Sequence, residues 1–207
     1  MYLLDSDAAR KLCQYELIEE LIGLLGCTME NIAVLPQLKF QLRLANDAKA
    51  LERLGTATAV DLARRLVLLA SEVEVSASYA NLLIELNRVD IDSGEAILFA
   101  ALCESDDSSL VSGDKRAFIA LSKVDGVPAI DGLWARILCL EDALLLLARD
   151  GDFPTVSQKV RCRPDVDTSM GIAFGRSEPA AQQTVISALQ SYIEHLKGQT
   201  SGKYISP

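Results

Sequence analysis

The chain opens Met1-Tyr2-Leu3-Leu4-Asp5-Ser6-Asp7, a short apolar run that ends on an acid. Tyr2 to Leu4 read as a buried strand. Residues 8–25 read as a helix, with Cys13, Leu17, Leu21 and Leu25, joined by Ile18 and Ile22, on one apolar stripe. A buried strand that passes directly into a helix is the unit of a parallel sheet covered on both faces. The unit recurs at residues 108–112, a strand, followed by a helix over residues 115–121, with Asp114 at the junction. Glu95 starts a further apolar run, Glu95-Ala96-Ile97-Leu98-Phe99-Ala100-Ala101-Leu102. In an open α/β sheet, residues just beyond the carboxyl ends of parallel strands collect at one crevice, where ligands bind. Acids that converge there need a reason to tolerate one another, and a divalent cation is the commonest.

Outward from these junctions, residues 31–44 are ambiguous. Leu38, Phe40, Leu42 and Leu44 alternate with polar residues and favour a strand, while Pro36 equally suits the first turn of a helix. Helix follows from Asn46, with a break at Gly55 and a restart at Thr58. Residues 79–86 and 95–103 are expected as helices, 127–130 as a strand and 133–148 as a long apolar helix. After Gly151 the character changes. Residues 153–175 hold two prolines and short β-like runs, and 178–196 look helical, with Ile186, Leu189, Ile193 and Leu196 in step. The expected fold is a three-layer α/β/α sandwich with a central, mostly parallel sheet over residues 1–150. Residues 151–207 are expected as a C-terminal extension packed on it and ending in a helix, with a flexible tail at 198–207.

The 207 residues carry 20 Lys and Arg against 29 Asp and Glu, a net charge of −9. This argues against broad electrostatic attraction to nucleic acid, though not against a local basic lip around an acidic pocket. The five cysteines show no CxxC pair or zinc-ligand spacing and read as reduced thiols. Asp5 and Asp7 stand where a signal peptide needs positive charge, and no apolar run approaches the roughly 20 residues of a membrane helix. A cytoplasmic protein with no membrane partner is expected. No GxGxxG follows the first strand, which removes a dinucleotide-binding reading.

Each acid also has a local structural role open to it. Asp7 suits a helix N-cap, Asp92-Ser93-Gly94-Glu95 suits a reciprocal capping box, and Asp114 can open the helix after Ser112-Gly113. Together the motifs resemble the PIN domain family. Leu3-Leu4-Asp5-Ser6-Asp7 is similar to the family's opening strand and first acid. Ser93-Gly94-Glu95-Ala96 resembles the segment with its mid-chain acid, and Ser112-Gly113-Asp114 its Thr or Ser, then Asp, motif. Gly126-Val127-Pro128-Ala129-Ile130 is similar to its final strand.

The resemblance covers roughly residues 1–148. It implies a metal-dependent endoribonuclease of the toxin type, with Asp5, Glu95 and Asp114 as catalytic metal ligands for Mg²⁺ or Mn²⁺ and Asp7 as an auxiliary ligand. Lys115 and Arg116 would then contact RNA. It further implies an antitoxin or other protein partner and a homodimer. One departure stands out: where the family carries another Glu, this chain has Lys39, Gln41 and Arg43. A catalytically degenerate PIN-like interaction module is therefore an alternative. So is a haloacid-dehalogenase-like phosphatase, because Asp5-Ser6-Asp7 also looks like that family's DxD, although Phe118 stands where its later acid belongs. His195, the one histidine, has no triad or ligand set near it in sequence and reads as a surface or packing residue.

Overall fold

A computed structural model describes residues 1–206. Five strands, β1 (Tyr2–Leu4), β2 (Ile32–Val34), β3 (Ser71–Glu72), β4 (Ser109–Ser112) and β5 (Ile137–Cys139), form one sheet in the order β3-β2-β1-β4-β5. Every pairing is parallel, with Leu3 level with Ala33 on one side and Leu110 on the other. Side chains alternate across a pleated strand, and this alternation divides the core. Leu4, Ile32, Val34 and Val111 face one helical layer, while Leu3, Ala33, Leu110 and Ile137 face the other. The result is a three-layer α/β/α sandwich.

The strand order sets where a crevice opens. From β1 the chain moves through β2 to β3 at one edge, then crosses back to β4 on the other side of β1. The carboxyl ends of β1 and β4 therefore flank the point where the winding reverses, the position where open α/β sheets bind ligands. Asp5 extends this ladder, its N–H donating to the Val111 carbonyl at 3.0 Å.

Several local expectations are corrected. Residues 8–25 are two helices, Ser6–Gln14 and Ile18–Leu24. The break falls at Glu16, whose φ of +58° is held by tertiary bonds: its carboxylate accepts from Thr56 Oγ1 at 2.6 Å and its carbonyl from Lys159 Nζ at 2.7 Å. The alternating stretch after Pro36 is a helix, Leu38–Gln41; Leu38 and Leu42 turn inward four residues apart, and Phe40 is left exposed. Residues 127–130 are not the final strand. Pro128 occupies the first turn of a short helix, Pro128–Asp131, and the fifth strand comes later. That strand lay within the single helix expected over 133–148. Trp134–Arg136 is instead a 3-10 turn, β5 follows, and the helix Leu140–Asp150 starts at a cap made by Cys139 and Asp142. Three β residues inside a continuous apolar run give no periodicity of their own.

Residues 153–175 form two helices, Phe153–Arg161 and Thr168–Ala173, rather than β-like runs. A last helix spans Gln182–Gln199. Val156, Val160, Met170 and Phe174 belong to the same core cluster as Leu4 and Val34, so residues 151–206 add to the existing core. The tail expected to be flexible is anchored. Tyr204 is fully buried, its ring stacked on Phe118 at 5.9 Å and its hydroxyl bonded to Asp142. Pro207 lies outside the described residues. Among the described residues, no helix is long and apolar enough to cross a membrane.

Candidate functional site

Asp5 follows β1 directly and is 8% exposed. Ser112, the last residue of β4, ties it to the neighbouring strand: Ser112 Oγ donates to Asp5 Oδ2 at 3.3 Å and accepts the Asp114 N–H at 3.2 Å. One hydroxyl thus links the acid after β1 to the peptide of the acid after β4. Asp114 caps the helix Lys115–Leu121, accepting from the Arg116 N–H at 2.8 Å and the Ala117 N–H at 3.3 Å. Glu95 is held by the reciprocal cap at the start of helix Ser93–Glu104.

Asp5, Asp7, Glu95 and Asp114 line one cavity of about 360 Å³, together with Asp92, Gln41, Arg10 and Arg53. The chain therefore brings all four sequence-selected acids to the switch-point crevice, along with the Gln41 that marked the departure from the family pattern. Reading where apolar runs end and helices begin located the acids. Arg10 and Arg53 gave no signal in sequence, because each lies on the polar side of an ordinary amphipathic helix. Only the packing of Ser6–Gln14 and Asp47–Leu54 against the sheet brings them to the same opening.

Burial first, and like charges after it, set the electrostatics of the two raised acids. Burial pushes the Asp5 carboxyl above its ordinary value, and the charge of Asp7 adds to this; the N–H groups of Ser6 and Gly113 and the Ser112 hydroxyl only partly offset it. Glu95 is pushed up to about 7, by burial first and then by Asp114, Asp92 and Asp5. Asp114 moves the other way. Burial raises it, but the Arg116 guanidinium and the N–H groups of Ala117 and Arg116 together hold it below the usual carboxylate range. Asp7 is ion-paired to Arg10 and, at 3.1 Å, to Lys11.

Hard divalent ions prefer such carboxylate oxygens, and a cation among these acids would relieve the repulsion that raises Asp5 and Glu95. The donor chemistry thus suits Mg²⁺ or Mn²⁺. The side-chain arrangement is not itself a ligand cage: among the described residues, no group of three or more His, Cys, Asp or Glu is gathered closely enough to hold an ion. Each acid is turned to a local partner, Asp7 to Arg10 and Lys11, Glu95 to the Asp92 N–H at 2.7 Å, and Asp114 to Arg116 at 3.1 Å. Gathering them requires Glu95 and Asp114 to turn from these partners.

Lys115 and Arg116 border a second cavity of about 330 Å³ that shares Asp7 and Asp114 with the first. Lys115 pairs with the buried Glu141 at 2.5 Å, whereas Arg116 is exposed beside Asp114. Lys159, Arg161 and Arg163 all have partners within the protein. Lys159 is paired with Glu20, Arg161 donates to the Gly175 carbonyl, and Arg163 donates to the carbonyls of Gln14 and Leu54. His195 is exposed on the last helix.

No family model, no curated protein and no solved structure matches the chain.

Proposed function

We propose that this protein is a metal-dependent endoribonuclease of PIN-like type. The observation that carries the reading is the convergence of Asp5, Asp7, Glu95 and Asp114 on one cavity at the carboxyl ends of β1 and β4. Asp5, Glu95 and Asp114, with Asp7 as auxiliary, would hold Mg²⁺ or Mn²⁺. Such an ion supplies a lowered pKa for a coordinated water and compensates charge on the attacking and leaving oxygens of a phosphodiester. The chain's own residues do the rest. Ser112 fixes the Asp5 carboxylate relative to the Asp114 peptide. Arg10 and Lys11 hold Asp7 at the rim. Arg116, exposed beside Asp114, is placed to receive a phosphate oxygen from the substrate, as is Lys115 once released from Glu141.

A cytoplasmic setting belongs to the same proposal, supported by five cysteines that are all free thiols. Control by a protein partner or by dimerisation belongs to it too, on the resemblance to PIN domains alone.

A second reading has its own support. Gln41 lines the cavity without bringing a charge, and among the described residues no three acids are gathered around one point. Both favour a degenerate module that binds a partner without turnover.

The deciding experiment incubates a mixed RNA pool with purified protein in Mn²⁺, beside Asp5→Asn and a chelated control. Cleavage that vanishes in both controls is expected. Absent cleavage, with calorimetry showing no heat of Mn²⁺ binding, would sink the nuclease and leave the binding module.

A further inference from the structure

We propose that Arg53, flanked by Arg10, receives a backbone phosphate of the RNA on the cavity wall opposite Glu95 and Asp114. The inference rests on the nucleic-acid reading of the acidic cavity and names one of its phosphate contacts.

The two walls come from different layers of the sandwich. Arg10 and Arg53 project from Ser6–Gln14 and Asp47–Leu54, whose Ala8, Leu12, Ala50 and Leu54 pack in one core cluster. Glu95 projects from Ser93–Glu104 and Asp114 opens Lys115–Leu121, whose Leu98, Phe99, Ala117 and Phe118 pack in the other. All four side chains line the same cavity. That cavity meets its neighbour at Asp7 and Asp114, and the neighbour carries Lys115 and Arg116. Asp7 and Asp114 therefore lie where the two cavities meet, with Arg10 and Arg53 lining one and Lys115 and Arg116 the other, an arrangement that suits phosphates on both sides of one reacting bond.

Arg53 is the unspent charge of the set. Arg10 is paired with Asp7 and Arg43 reaches Glu52 at 4.0 Å, but the Arg53 guanidinium has no acidic partner among the described residues. Burial and the neighbouring cations Arg10 and Arg43 hold its pKa below the ordinary value, against a smaller opposing pull from Asp7. An anion on Arg53 relieves that repulsion. A guanidinium also presents paired donors that match phosphate oxygens. The net charge of −9 leaves such local contacts to do the holding.

The test measures fluorescence anisotropy of a labelled 12-nucleotide, cleavage-resistant 2′-O-methyl RNA in Mg²⁺ over a salt series. The proteins compared are wild type, Arg53→Gln and, as a charge-matched control, Arg65→Gln, whose guanidinium pairs with Glu19 outside the cleft. Arg53→Gln is expected to weaken binding about tenfold at low salt, the loss of one charge-assisted phosphate contact. It should also flatten the slope of log K against log salt by about 0.7, one contact's share for a single strand. Arg65→Gln should match wild type. Unchanged affinity and slope in Arg53→Gln, or no RNA binding by wild type, would each overturn the Arg53 contact. Cleavage of ordinary RNA is followed in parallel. Arg53-dependent binding without cleavage would sink the nuclease alone, and cleavage with an unchanged KM in Arg53→Gln would sink the Arg53 contact alone.

Discussion

Asp92 and Glu95 hold each other: Asp92 Oδ1 accepts the Glu95 N–H at 2.8 Å, and Glu95 Oε2 accepts the Asp92 N–H at 2.7 Å. The pair starts the Ser93–Glu104 helix and at the same time fixes the direction of a proposed metal ligand. Removing the cap tests both roles. Asp92→Ala is expected to cost about 1 kcal/mol, the usual price of a lost N-cap, read from urea denaturation. It also removes a neighbouring negative charge from Glu95, so the Glu95 carboxyl should titrate lower, which carboxyl NMR would register. A pKa unchanged by the substitution would show that Asp92 contributes nothing to the raised value.

The pH dependence of stability follows from that raised value. In metal-free protein Glu95 sits at about 7 against an ordinary 4.5, so between these values the folded state binds more protons than the unfolded chain. Its contribution is present in full below 4.5 and is lost as pH rises through 7. Asp5, also raised, acts with the same sign above 3.8. Asp114, lowered, acts oppositely, its contribution appearing above 3.8 and vanishing as pH falls through its lower folded value. From pH 5 to 8 in chelator, melting should therefore fall, and Glu95→Gln should flatten the fall. Saturating Mn²⁺ at pH 7 should raise the melting temperature of wild type and not of Asp5→Asn, by an amount worth about 2.7 kcal/mol at a hundred times Kd. An identical response in both proteins would count against Asp5 as a ligand.

Gly113 separates the two acids of the rim. A Cβ at this position would lie 2.8 Å from Asp7 Oδ2, and that oxygen is the one paired with Lys11. Gly113→Ala should therefore displace the Asp7 carboxylate while leaving the fold within about 1 kcal/mol of wild type, since one side-chain tip can move. The proposed RNA cleavage is the sensitive readout. A variant as active as wild type would show that the placement of Asp7 does not matter to the reaction.

The parts of the fold readable from sequence were those with an uninterrupted pattern and a clear stop. Tyr2–Leu4 ended on Asp5, Lys115–Leu121 began after Gly113-Asp114, and the break at Gly55 coincided with a residue at φ +91° that a side chain tolerates poorly. Acids at such junctions were found for the same reason. What escaped reading depended on contacts distant in sequence. Glu16 breaks a helix because Thr56 and Lys159 hold it, and β5 is a strand because β4 lies beside it. Nothing local shows that the Gln14 and Leu54 carbonyls engage the donors of Arg163. Arg53 was invisible for the converse reason, its position being set by the packing of its helix.

Tyr204 provides the sharpest test of the C-terminal segment. Its hydroxyl bonds Asp142 and receives the Cys139 N–H at 2.7 Å, while its ring stacks on Phe118. Tyr204→Phe keeps the ring and removes the hydroxyl. Asp142 Oδ2 retains the Cys139 N–H at 2.9 Å and the thiol at 3.0 Å, so the carboxylate is not stripped of donors. The loss should be about 1–2 kcal/mol in urea denaturation. Tyr204→Ala also empties a fully buried aromatic site beside Phe118 and should cost about 3–5 kcal/mol. If the alanine variant were no worse than the phenylalanine one, the ring would be contributing nothing and the segment would be held by its hydrogen bonds alone. Tyr204 meets the sheet at Cys139, which is level with Ser112 in the parallel ladder, and its ring stacks on Phe118 in the helix that Asp114 caps. Tyr204→Phe, which keeps that ring, should therefore leave the proposed RNA cleavage unchanged under conditions where it remains folded.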